Sequence, residues 1–135
     1  MTPFYWTVRI YWEDTDAGGI VYHTNYIKFF ERARTEWLRH MGLTQSVLSS
    51  DLGLMFSIVG LRTDFKRPAR LDDELTVSCE FQAEGGASVR FQQRIWRGGP
   101  QGELLAEGET RVACLDVSTF KPKRLPDLLR KDLSR

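Results

Sequence analysis

The sequence predicts an α+β domain in which a curved antiparallel sheet of about five strands wraps one long helix. Three observations carry that reading. A short β-rich run opens the chain, one long stretch of helical period follows it, and four segments of period two, separated by Gly- and Pro-bearing connectors, fill the remainder. With 135 residues and 41% hydrophobic content, the chain suits one modest core and reads as one domain over residues 1–135.

Tyr5 to Trp12 reads as the first strand, β-branched and aromatic residues broken only by Arg9. From Thr24 or Asn25 the period changes. Tyr26, Phe29, Phe30, Ala33, Trp37 and Met41 recur at helical spacing, with Lys28, Glu31, Arg32, Thr35, Glu36 and Arg39 mostly on the other side. Gly42 is a natural residue to end that helix, which then spans about four to five turns with one buried stripe. Burial of each large side chain in the stripe contributes about 1.5 to 3 kcal/mol, enough to anchor a helix on a sheet. Gln45 to Leu52 adds a short helical turn.

Alternation then takes over. Val59, Leu61, Thr63 and Phe65 point one way, opposed by Gly60, Arg62, Asp64 and Lys66. Leu75, Val77, Cys79, Phe81 and Ala83 form the next apolar row, followed by Val89, Phe91, Gln93 and Ile95, and by Leu104, Ala106, Gly108, Thr110, Val112 and Cys114. Such rows predict half-buried strands in a four-stranded antiparallel meander. Pro68 to Asp73 links two strands, Gly85-Gly86 makes a tight hairpin and Gly98-Gly99-Pro100 a looser one. Pro122 to Arg135 reads as a short terminal helix or a frayed end.

Composition removes several function classes. A formal charge of +1, with bases scattered among nearly as many acids, gives no field for nucleic acid. No apolar run approaches a membrane span, and MTPFYWTVRIYW is not a signal-peptide core, so a cytoplasmic protein is expected. Cys79 and Cys114 fall on apolar strand faces as small core residues. His23 and His40 lie far apart without Cys partners, which gives a metal site no support. The chain holds no GxSxG elbow, Walker loop or GxGxxG.

The chemistry concentrates in EDTDAGGIVYHTNY, Glu13 to Tyr26, where acids stand beside a Gly pair just before the long helix. A carboxylate there can sit next to the unpaired N–H groups that helix starts leave free, so that acid and oxyanion donor face one carbonyl. Gly18 and Gly19 can adopt positive φ and let a ligand approach the main chain. An acidic turn with ordinary capping residues fits the same spacing.

RIYWEDTDAGGIVYHTNYIKFFERARTEWLR, together with FKRPARLDDELTV and RVACLD, resembles the hot-dog-fold acyl-CoA thioesterases of the 4-hydroxybenzoyl-CoA thioesterase-like family. The similarity is to the YbgC-like branch associated with the Tol-Pal envelope system and covers nearly the whole chain. It implies a thioester hydrolase without a cofactor that acts on acyl-CoA, fatty or aromatic, or on an acyl group carried by acyl carrier protein. It places the catalytic acid on Asp16 and the carbonyl-polarising backbone N–H on or next to His23; on chemical grounds the N–H of Tyr22 could join it as a second donor. It also implies protomers that join their sheets, active sites at the dimer interface, and dimers that pair further.

A thioester suits so sparse a site, because a thiol of pKa about 8.5 departs without an obligatory general acid. Asp16 could act as general base to water or as nucleophile. Asp14 is read as a supporting or turn-forming acid, and Glu31 and Glu36 as solvated helix charges, although a sister group places its acid on the helix. The His23 side chain could bind substrate or hold the loop, Thr15 and Asn25 secure the turn, and Tyr26 packs with its hydroxyl near the site. Gly19, Tyr22 and Tyr26 are the expected substrate contacts. Lys66, Arg67 and Arg70 form the dense basic cluster suited to the coenzyme A phosphates, or a solvated charged turn. Pocket depth would depend on Leu54 to Ile58 and a partner subunit. A hot-dog hydratase or dehydratase, or a non-catalytic acyl-CoA or acyl-carrier-protein binding module, are the alternatives.

Overall fold

The computed structural model describes residues 3–133. Its elements run β1 (Phe4–Arg9), a 3-10 turn (Trp12–Asp14), α1 (His23–His40), α2 (Gln45–Leu52), β2 (Leu54–Phe65), β3 (Glu74–Glu84), β4 (Ser88–Arg97), β5 (Glu103–Asp116) and α3 (Asp127–Leu133). β1 stops at Arg9, short of the expected Trp12, because the Asp14 carboxylate captures the Tyr11 N–H at 2.8 Å and winds the next residues into the turn.

All strands pair antiparallel in the order β1-β3-β4-β5-β2. This corrects the expected four-stranded meander: β3, β4 and β5 form one, while β2 crosses to the far edge and pairs with β5 from Leu54↔Asp116 to Phe65↔Ala106. The segment Pro68 to Asp73 does join two strands, but not neighbours. Its backbone is held elsewhere, by the motif loop and by the end of β1. β2 also begins earlier than its alternation implies, at Leu54, and its register slips between Ile58 and Gly60. Its apolar row is not part of the core: Val59, Leu61 and Phe65 are 59%, 46% and 49% exposed.

α1 packs against one face of the sheet. Tyr26, Phe29, Phe30, Ala33 and Trp37 are buried as the stripe predicts, while Met41 is only partly buried and Leu38 and Arg34 join the buried set. Trp37 stacks on Phe81 at 4.5 Å and meets Phe91 edge-on at 5.6 Å. Phe30 lies so close to β5 that a β-carbon on Gly108 would come within 2.8 Å of its ring. The helix therefore approaches the sheet through a missing side chain. Gly42 takes φ +86° just past the helix, the left-handed conformation expected of it.

Cys79 and Cys114 are free and buried, as the strand faces predict. Burial pushes the Cys79 thiol up to about 12, although the nearby Arg34 opposes the shift. The tail forms α3, with Leu125 and Leu129 buried against the core, and residues 134–135 lie outside the described part of the chain. Among the described residues no helix is long and apolar enough to cross a membrane.

Candidate active site

The motif folds as a two-stranded ribbon. Thr15 pairs with Val21, the Asp16 N–H donates to the Ile20 carbonyl at 2.9 Å, and the Tyr22 N–H donates to the Asp14 carbonyl at 2.9 Å. At its tip the Gly19 N–H donates to the Asp16 carbonyl at 3.0 Å, with Gly19 at φ +83°. An L side chain there would be strained, so Gly19 is a requirement of the turn, whereas Gly18, expected to share that conformation, does not take a positive φ.

Asp16 sits on the outgoing strand of this ribbon. Its Oδ1 accepts the Gly18 N–H at 2.8 Å, which orients the carboxylate, and the residue is exposed on the single chain. Asp14 has the turn-forming role expected of it, and Thr15 Oγ donates to the Trp12 carbonyl at 2.8 Å.

The returning strand runs directly into α1. Tyr22 caps the helix without a side-chain hydrogen bond, and Asn25 binds back through its N–H to the Tyr22 carbonyl at 2.9 Å and through Nδ2 to the Asp14 carbonyl at 2.8 Å. Among the described residues, no acceptor takes the N–H groups of His23 and Thr24. The Tyr22 N–H, by contrast, is already committed to Asp14. The open donors at the positive end of α1 are therefore those of His23 and Thr24.

Around this junction the His23 ring meets Tyr22 at 4.8 Å and Phe65 at 5.9 Å, both edge-on. Tyr26 is 4% exposed and packs on Phe65, and its hydroxyl accepts the Ala69 N–H at 2.9 Å. Burial holds the phenol above its usual pKa, partly offset by that hydrogen bond. The connector after β2 is laced to the ribbon, because the Ala69 carbonyl accepts the Val21 N–H at 2.9 Å and Arg70 pairs with Ile20.

Arg70 thus stands next to the motif, while Lys66 and Arg67, earlier in the same connector, donate their N–H groups to the Leu105 carbonyl; all three are exposed. None has an ion-pair partner among the described residues. Glu36 pairs with Arg39, whereas Glu31 is exposed beside a cleft of about 370 Å³ between α1 and the sheet. Among the described residues, no three His, Cys, Asp or Glu side chains gather as a metal site.

Two residues were not legible as parts of this region. Phe65 reads as one of a strand row, yet it packs on His23 and Tyr26. Arg34 lies on the buried face of α1, and its only sequence signal is a charge placed one turn after Phe30 and directly after Ala33.

The family model described as thioesterase-like superfamily matches residues 10–133. The chain is 44% identical over 125 residues to an acyl-CoA thioester hydrolase YbgC from Escherichia coli O157:H7, covering 93% of this chain and 91% of that one. It is 43% identical over 123 residues to an acyl-CoA thioesterase YbgC from Haemophilus influenzae, covering 91% and 88%. A probable thioesterase from Bartonella henselae superposes with a TM-score of 0.85 at 33% identity, over 93% of this chain and 100% of that one. A 1,4-dihydroxy-2-naphthoyl-CoA thioesterase from Synechocystis superposes at 0.90 with 22% identity, over 98% and 96%, a likeness of fold.

Proposed function

This chain belongs to the thioesterase-like superfamily, and from that membership we propose that it hydrolyses acyl-CoA thioesters to a free acid and coenzyme A. The observation that supports the chemistry is the ribbon joining an oriented carboxylate, Asp16, to a helix start whose first amides lack acceptors. In this reading the thioester carbonyl oxygen takes the His23 N–H, with Thr24 as its neighbour, and those donors hold the negative charge that develops on attack. Asp16 delivers the attacking oxygen, as base to water or as nucleophile through a mixed anhydride that a second attack, by water, then splits into the free acid and the regenerated carboxylate. The tetrahedral intermediate then expels the coenzyme A thiolate, which takes up its proton from solvent.

Tyr22 enters as a ring beside the helix start, not as an oxyanion donor, since its amide is occupied. Tyr26 supports the site by fixing Ala69, and Gly19 leaves the tip open to the ligand. Lys66, Arg67 and Arg70 take the coenzyme A phosphates, a role supported by their exposure and their free charges.

Residues 1–135 act as one domain, and the exposed apolar row of edge strand β2 supports a homodimer that joins the two sheets and completes each site. Pairing of dimers, a cytoplasmic location, use of acyl carrier protein and association with the Tol-Pal system rest on the family resemblance alone.

The test is thiol release from a panel of acyl-CoAs by the purified protein and by Asp16→Asn. Turnover by the wild type and its loss in a folded Asp16→Asn protein are expected. Equal turnover by both proteins would remove Asp16 from the reaction, and loss of conjugation from an enoyl-CoA without thiol release would replace hydrolysis by hydration.

A further inference from the structure

Arg34 is a buried cation without an acid. It is 8% exposed, and its Nη1 donates to two neutral oxygens, Gln93 Oε1 at 3.0 Å and Thr110 Oγ1 at 3.3 Å. Gln93 is itself held in place, donating its Nε2 to the Phe30 carbonyl at 3.0 Å. No carboxylate among the described residues lies within 4.0 Å of the guanidinium. Glu31, one turn earlier, is exposed and acts on it only at a distance. Nε and Nη2 have no acceptor among the described residues, and neither is among the side-chain nitrogens sealed from solvent.

A charge taken out of water is costly unless an opposite charge meets it. Burial already pulls the guanidinium below its usual range. The side chain borders the cleft of about 370 Å³, whose other walls include Leu38, Phe56, Ile58, Phe91 and Val112. An apolar cleft with one fixed cation fits a hydrocarbon chain that carries a single anionic end. Lys28 at the cleft adds positive charge and Glu31 offsets it, which leaves Arg34 as the buried charge to be matched.

The cleft also has a direction. Ile27, Glu31, Arg34 and Leu38 share one face of α1, and that face continues back to His23 and Thr24, whose amides are open. From His23 to Arg34 the helix rises about 16 Å over eleven residues at about 1.5 Å each. Long side chains lean toward the helix N-terminus, so the guanidinium comes nearer the amides than its own backbone does.

On the thioesterase reading above, we infer that Arg34 receives a carboxylate at the far end of the acyl group, so that this enzyme prefers acyl-CoAs whose chain ends in an acid. The carboxylate would take Nε and Nη2 as a forked pair while the carbonyl lies at the helix start.

The test compares acyl-CoAs of matched chain length ending in carboxylate or in methyl, with kcat/KM read for the wild type, Arg34→Lys and Arg34→Met. The wild type should favour the acid-ended member at its best chain length by about tenfold or more. Arg34→Met should lose that preference chiefly on the acid-ended series, and Arg34→Lys should keep part of it. A wild type that hydrolyses methyl-ended chains equally well or better at every length overturns the inference, as does an Arg34→Met protein that loses both series alike. Should Arg34→Met not fold, calorimetric binding of a free dicarboxylic acid against the monocarboxylic acid of equal length, both to the wild type, decides in its place. No preference there overturns the inference. Thiol release from neither series would strike the thioesterase reading itself, whereas release from the methyl series alone would strike only the role of Arg34.

Discussion

The Asp16 carboxylate accepts the Gly18 N–H at 2.8 Å, and a β-carbon added to Gly18 would stand 3.2 Å from that same oxygen. The loop therefore aims its own acid, and Asp16→Asn should separate aim from charge. The amide oxygen can still accept from Gly18, so thermal unfolding should be nearly unchanged while kcat falls by about 100-fold or more. Steady-state thiol release together with calorimetry of the same samples checks both halves.

The two glycines should fail in different ways. Gly18→Ala presses on the carboxylate without meeting backbone, so it should reduce kcat more than stability. Gly19→Ala meets nothing within 4 Å but sits at φ +83°, so it should cost about 1 to 2 kcal/mol of stability through backbone strain. Denaturant melts set beside kcat for the pair would reveal the difference; identical profiles would contradict it.

Gly108→Ala should destabilise the fold by about 1 to 3 kcal/mol, because the new methyl would meet the Phe30 ring at 2.8 Å. Phe30→Leu in the same chain should recover part of that loss. A double-mutant cycle in urea measures the coupling, and additive losses would argue against this contact.

Alkaline pH should expose the burial of Cys79. Its thiol titrates near 9.0 when unfolded and about 12 when folded, so the unfolded state releases the proton first. The contribution of this thiol is complete below pH 9.0 and declines from there toward about pH 12. Unfolding free energies measured across that window should fall less steeply in Cys79→Ala than in the wild type, whatever the offset between the two proteins.

Edge strand β2 supplies a fifth prediction. Leu61 is 46% exposed on the single chain, and if the proposed homodimer joins its sheets at β2, Leu61→Lys should shift the protein toward monomer in sedimentation velocity while leaving the secondary structure intact. Unchanged mass in the variant would move the interface elsewhere.

Most of the core was readable from period alone. Phe29, Phe30, Ala33 and Trp37 face inward because helical spacing leaves them no other choice, and Val89, Phe91, Gln93 and Ile95 alternate into the sheet as written. Strand order was not readable, because an apolar row names a face and not a neighbour. β2 carries as regular a row as the others and still ends at an edge with that row outside. At the site, Asp16 and, to within one or two residues, the start of the helix at His23 are visible in EDTDAGGIVYHTNY, since turn chemistry is local. The occupied Tyr22 amide and the hydroxyl of Tyr26 on Ala69 follow from long-range pairing, to which a motif is blind. Arg34 escaped notice for the opposite reason: periodicity weighs apolar residues, and a cation on their face registers only as noise.

Ala69 offers its N–H to the Tyr26 hydroxyl and its carbonyl to the Val21 amide, and it has no exposed surface. One methyl-bearing residue thereby clamps the acidic ribbon, the long helix and the cation-bearing crossover into a common chassis. Lengthening that crossover would be transmitted to the carboxylate as misalignment, whereas the hairpin at Gly85-Gly86 could grow without the carboxylate registering it.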